Sequence, residues 1–162
     1  MVDPVAMLSG PAPLSGWMIM ESRWLWTSWQ RHHCLLQDGC LHWSRERMGE
    51  AAVEVNSSPT KVSSLDFSRT PCDIKACAGR DDLIMIKPID GFRWHHADRH
   101  SAAGTSQALF LDTGDSGEMA GEWLPRLREH ASYAQLLAAA MAGAAPAIAD
   151  HHPVSRREGP RR

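Results

Sequence analysis

No apolar run in this 162-residue chain approaches the eighteen or so residues that span a bilayer, so no membrane-crossing helix is expected. The opening "MVDPVAMLSGPAPLSG" lacks a basic leading region and carries Asp3 and three prolines, which does not read as a secretory leader. Cysteine is sparse: Cys34, Cys40, Cys72 and Cys77 are expected as reduced thiols of a cytoplasmic protein. Also missing are G-x-S-x-G, the P-loop, G-x-G-x-x-G and H-E-x-x-H, the usual frames for a nucleophile, a phosphate or a catalytic zinc. "DTGDSGE" (112–118) holds one D-T-G without a second aspartate half, and its place before a helix suits a turn and a cap. The expectation is a protein that is not an enzyme. A strong basic excess is lacking too. The net charge is −2, with −1 on 1–14, +2 on 143–162 and so −3 on the residues between. Such a body does not attract nucleic acid through its bulk field, and any anion site must be local.

What is present is a series of short apolar runs separated by turn residues. They are "GWMIM" (16–20), "HHCLLQ" (32–37), "CLHWS" (40–44), "SLDFS" (64–68), "CDIKAC" (72–77), "LIMIK" (83–87), "FRWHH" (92–96) and "ALFLD" (108–112). Runs of this length and spacing predict the strands of a sandwich or barrel. Beyond Glu118 the period lengthens: Met119, Trp123 and Leu127 recur every fourth residue, flanked by Ala120, Leu124 and Ala131. That is an amphipathic helix. Asp115 and Glu118 have capping-box spacing, and Pro125 predicts a kink or a broken first turn. The alanine-rich stretch 138–142 extends the helix toward Gly143. Residues 1–14 and the basic stretch 143–162 read as disordered tails, leaving one domain over 15–142.

"WQRHHCLLQDGCLHW" (29–43) places His32, His33, Cys34, Cys40 and His42 within fifteen positions and so resembles a zinc site in linear form. Asp38-Gly39, however, is a strong signal for a two-residue type I′ hairpin turn. That turn sets Gln37 opposite Cys40, Leu36 opposite Leu41, Leu35 opposite His42, Cys34 opposite Trp43 and His33 opposite Ser44. Alternation then puts His32, Cys34, Leu36, Leu41 and Trp43 on one face and His33, Leu35, Cys40 and His42 on the other. Four ligands cannot converge on one zinc from two faces of a sheet, so two barrel strands are predicted in place of a metal site. "HHADRH" (95–100) reads as solvated loop histidines. No metal and no cofactor is expected.

The two ends of 15–131 resemble the pleckstrin homology (PH) family. "SGWMIMESRWLWTSWQRHHCLLQDGCLHWSRE" (15–46) is similar to the family's opening hairpins, and "ALFLDTGDSGEMAGEWLPRLREH" (108–130) to its last strand and helix, with Trp123 at the place of the family's helix tryptophan. "SLDFS" resembles the fourth strand, while either "LIMIK" or "FRWHH" could be the sixth. The pattern is closest to the cytohesin type. The resemblance implies a mainly β fold with one C-terminal α-helix: a seven-stranded, bent antiparallel barrel or sandwich capped by the amphipathic helix. It also implies a non-catalytic binding module.

In lipid-binding members a lysine late in strand one, two alternating basic residues in strand two and a tyrosine in strand three converge on the headgroup phosphates. These positions fall here on Met20, Gln30, His32 and Trp43, and only Arg31 between them is basic. The resemblance therefore implies a degenerate phosphoinositide site and a protein-interaction, scaffolding or recruitment role with an unidentified protein partner. The alternative is a phosphoinositide-binding peripheral membrane adaptor, strengthened at acid pH as His32 gains charge. Candidate interaction or lipid-binding residues are Arg23, Trp24, Trp26, Arg31, His32, Trp43, Arg45 and Arg47, with Trp24, Leu25 and Trp26 offering an interfacial patch. Trp29 is expected to pack within the fold. The expected location is cytoplasmic, with attachment to a membrane or a cytoskeletal structure as the peripheral variant.

Overall fold

The computed structural model describes residues 9–23, 27–48, 62–89 and 108–144. The first three strands are β1 (Leu14–Arg23), β2 (Thr27–Gln37) and β3 (Cys40–Ser44). Then come β4 (Ser63–Asp66), β5 (Cys72–Cys77), β6 (Arg80–Pro88) and β7 (Leu109–Asp112). A 3-10 segment, Gly114–Met119, leads into the one α-helix among the described residues, α1, Ala120–Ala144. The strands form one antiparallel sheet in the order β4-β3-β2-β1-β7-β6-β5. Seven antiparallel strands in this order, curled into a half-barrel and followed by a C-terminal helix, make a PH-like fold. The sixth strand contains 83–87, whereas 92–96 lies outside the described residues. β1 takes in Leu14 and α1 continues through Gly143 to Ala144, against the expected bounds of 15 and 142.

The hairpin register around Asp38-Gly39 is the one the turn predicts, residue for residue from Gln37 opposite Cys40 to His33 opposite Ser44. Asp38 and Gly39 both have positive φ, 50° and 78°, as a type I′ turn requires. Cys34, Leu36 and Leu41 are fully buried on the inner face, where Trp43 packs beside them. The core continues through Met18, Leu65, Ile84, Ile86 and Leu111 to Trp123 and Leu127 of α1. Because alternate residues of each strand point the same way, every strand adjoining the core contributes to it with period two, and α1 meets it with period four.

α1 touches β5 and β6 at one side of the sheet and β2 and β3 at the other, so it bridges the half-barrel. One bridge is the β2–β3 turn itself. The Gly39 N–H donates to His130 Nδ1 (3.2 Å), and the other ring nitrogen of His130, which is fully buried, meets the Ala12 carbonyl at 3.1 Å. The Phe67 N–H donates to the Gly39 carbonyl at 3.1 Å. Gln135 Nε2 donates to the Phe67 carbonyl, which joins the same turn to the next stretch of helix.

Three expectations for the helix entry need correction. The α-helix starts at Ala120, not Glu118, and the chain before it is a 3-10 segment broken at Gly117 (φ 61°, ψ −128°). Asp115 does not cap a helix: its carboxylate pairs with Arg31 at 3.2 Å. Met119 stands 40% exposed, because the tighter 3-10 turn and the break at Gly117 place it off the apolar stripe. Pro125 itself lies inside α1, which runs as one element through that proline.

Candidate functional site

The positions aligned with a headgroup arc do come together. Met20 lies opposite Gln30, and Met18 opposite His32, on paired β1 and β2. Trp43 lies opposite Cys34 on β3. Met20 is buried, and the Cys34 thiol points to its sulfur at 3.7 Å. Burial pushes the Cys34 thiol well above its ordinary pKa, so it stays protonated. The Gln30 side-chain carbonyl accepts a bond from Arg45 Nη2 at 2.8 Å, and the Gln30 backbone carbonyl faces His32 Nδ1 at 3.0 Å. A ring nitrogen facing a carbonyl carries the proton, so Nδ1 of His32 is the donor. The arc is thus built of a thioether, an amide, an imidazole and an indole, with the guanidinium of Arg45 held at its margin.

Arg31 does not belong to this arc. It projects from the opposite face of β2, where its guanidinium lies 4.7 Å from the Trp17 ring centroid and pairs with Asp115. Trp17 in turn meets the His33 ring edge-on, with centroids 5.2 Å apart. Ser116 Oγ donates to the Trp17 carbonyl at 2.8 Å and ties the 3-10 segment to β1. Arg31 is therefore a staple between β2 and the 3-10 segment, and this role was not visible in the sequence because Asp115 lies eighty-four positions away.

His33 and Leu35, on the same outer face, are nevertheless buried. The chain after β3 folds back here, so that the Met48 N–H donates to His33 Nδ1 at 3.2 Å. Burial lowers the His33 pKa below the usual imidazole value, and the nearby positive charge of Arg47 lowers it further. His42 bonds Ser64 Oγ at 2.6 Å. Burial lowers its pKa as well, opposed by Asp38 and Asp66. His32, His33, Cys34 and His42 thus each have a protein partner of their own, two on either face of the sheet. Among the described residues no group of three His, Cys, Asp or Glu side chains is placed to hold a metal.

Of the remaining candidates, Arg23 closes β1 opposite Thr27. Trp24, Leu25 and Trp26 lie outside the described residues, as does the "HHADRH" stretch. Trp43 is half-buried against the core, while Arg45 and Arg47 are exposed. Trp29 corrects an expectation: it is 47% exposed, not packed in the fold. The odd positions of β2 face outward, and residue 29 sits toward the hairpin end, beyond the segment that buries His33 and Leu35. The exposed indole therefore lies near the start of β2.

No protein-family model matches this chain, and no curated protein does. Among solved structures, the Slm1 PH domain matches with a TM-score of 0.44 and 16% identity, over 77% of this chain and 95% of its own. That protein is described as binding ligand in a non-canonical site. The PH-like assignment here stands on strand order, register and the capping helix.

Proposed function

We propose that the chain is a non-catalytic PH-like binding module, of cytohesin-type sequence pattern, with a degenerate headgroup site, and that it acts as a protein-interaction or scaffolding domain. The observation that carries this reading is the chemistry of the arc: Met20, Gln30, His32 and Trp43 stand where several fixed cations would be needed to hold multiple phosphates. The Arg45 guanidinium at its margin is already engaged by Gln30. The contact residues in this reading are Arg23, Trp24, Leu25 and Trp26, together with the exposed Trp29, Arg45 and Arg47. The location is cytoplasmic, with recruitment to a membrane or cytoskeletal structure through the bound protein.

A second reading is favoured by one detail. Gln30 links His32 through its backbone carbonyl and Arg45 through its side chain, so protonation of His32 would set two cations on either side of one residue. That arrangement supports a phosphoinositide adaptor working at acid pH. Co-sedimentation with liposomes carrying a phosphoinositide panel, at pH 6.0 and 7.4, separates the two. A scaffold stays in the supernatant with every liposome composition. Headgroup-selective binding that strengthens at pH 6.0 and disappears in His32→Ala makes the adaptor the correct reading. Nonselective binding lost only in Trp24→Ala/Trp26→Ala assigns the loop to a lipid surface instead of a protein.

A further inference from the structure

A groove of about 630 Å³ that shares no lining residue with the headgroup arc runs between β5 and the second half of α1. Phe67, Ile74, Ile89, Ala131 and Leu136 make it apolar, and Arg128 stands on its helix wall. Ile89 and Leu136 are 47% and 59% exposed, an unusual solvent area for two large apolar side chains facing one groove. β5 is the last strand of the sheet, so one of its sides has no neighbouring strand among the described residues. The hydrogen-bond phase shows which groups that side presents. The Ile89 N–H donates to the Pro71 carbonyl at 3.0 Å, so residues 71, 73 and 75 bond toward β6. Ile74 and Ala76 must therefore turn their N–H and C=O groups outward. The bond from Arg128 Nε to the Ile74 carbonyl, 2.9 Å long, confirms that direction.

We propose that this groove binds an extended protein segment that adds as a strand to β5, with alternate apolar side chains in the groove and an acidic side chain on Arg128. Charge selects the occupant. Asp73 is paired with Lys75 at 2.9 Å, whereas Arg128 has no carboxylate partner among the described residues and uses one of its five N–H groups on the Ile74 carbonyl. A docking strand competes for that carbonyl and frees the guanidinium for a carboxylate, whose bidentate geometry it matches. The exposed edge gives main-chain hydrogen bonds, and the apolar floor gives side-chain selection at every second position. This deepens the interaction-module reading and rests on it, but it uses a different surface from the tryptophan loop.

The test is selection of a random octapeptide display library on the full chain, followed by fluorescence anisotropy with the enriched peptides. The expected peptides alternate apolar residues and carry one Asp or Glu. Their affinity falls about tenfold or more in Leu136→Glu and in Arg128→Glu, with melting temperatures kept as a check on folding. Repeating the selection on Arg128→Glu should exchange the acidic residue for Lys or Arg, a change of preference that mere loss of structure cannot produce. Backbone amide shifts on peptide addition should centre on Ile74 and Ala76. Enrichment of nothing, or peptides indifferent to both groove variants, overturns the groove. Peptides lost in Trp24→Ala/Trp26→Ala but retained in Leu136→Glu overturn it while keeping the interaction module. Headgroup-selective liposome binding, with groove-dependent peptides still bound, overturns the scaffold reading alone.

Discussion

Gly39 offers the sharpest test of how the barrel and helix are joined. Its φ of +78° is one that an L side chain adopts at a cost of about 1–2 kcal/mol. A Cβ placed there would also stand 2.7 Å from Ala134 Cβ and 3.3 Å from Ala134 Cα. Carbon atoms do not approach to 2.7 Å, so the helix or the turn must move, and overpacking of this kind costs about 1–3 kcal/mol. Movement would also stretch the Gly39–His130 bond, which anchors the Ala12 segment. Gly39→Ala should therefore destabilise the protein by about 2–4 kcal/mol in urea unfolding. The two causes separate in a double-mutant cycle with Ala134→Gly. That second change costs about 1 kcal/mol by itself through helix propensity, yet it removes the atom at 2.7 Å. The coupling should be favourable by about 1–2 kcal/mol and incomplete, since the φ cost and the 3.3 Å backbone approach remain. A large Gly39→Ala penalty with no coupling to Ala134 would refute the helix–turn contact and leave the loss to backbone conformation alone.

Acidification should weaken the fold. The His33 and His42 pKa values are lowered below the ordinary imidazole value of 6.5, so the unfolded chain binds more protons in the window below it, and stability falls as pH drops from about 7 toward 5. Urea midpoints at pH 5.0 and 7.5 check this, and His33→Gln should flatten part of the slope; a midpoint that rises on acidification is the contrary result. Trp123 is fully buried and packs over Gly16, whose added Cβ would lie 3.4 Å from the indole. Trp123→Ala should cost about 3–5 kcal/mol by chemical denaturation, and Gly16→Val should also destabilise. Exposure and pKa make opposite predictions for two thiols: iodoacetamide under native conditions should spare Cys34 and modify the more accessible Cys77, as peptide mass mapping would show. Removing the Arg31–Asp115 pair should change stability by less than about 1 kcal/mol, because both side chains are well exposed and solvent screens them.

The elements that were legible from sequence are those whose signals are local. Asp38-Gly39 needs positive φ at two successive residues, so the dipeptide specifies the turn, and the turn specifies five cross-strand pairs by counting outward. Trp123 and Leu127 are spaced at a helical period and reach the core together. Met119 has the same spacing but ends the 3-10 segment that is broken at Gly117, one residue ahead of α1, and periodicity cannot register a single glycine that departs from helical φ and ψ. β6 is longer than its apolar run because Arg80, Asp81 and Asp82 continue the strand as charged residues at the hairpin end. There the Arg80 guanidinium bonds Asp82 and Asp112, and its bond to Asp82 holds that carboxyl below the usual carboxylate range.

The candidate site divides in the same way. Alternation alone sends Arg31 to one face and His32 to the other, which is enough to separate the remaining cation from the headgroup arc. What alternation cannot give is the cover on each face. His33 and Trp29 share the outer face of β2, yet the first is buried beneath the return of the chain at Met48 and the second is nearly half exposed. That difference depends on where a later segment crosses the strand, a long-range fact. The β5 groove is longer-range still. Its strand edge is set by sheet order, its helix wall by residues 128–136, and its cation by a bond that spans fifty-four positions. A groove assembled from separate elements leaves no motif in the chain, whereas Met20, Gln30, His32 and Trp43 can be placed on one face by alternation within two hairpins.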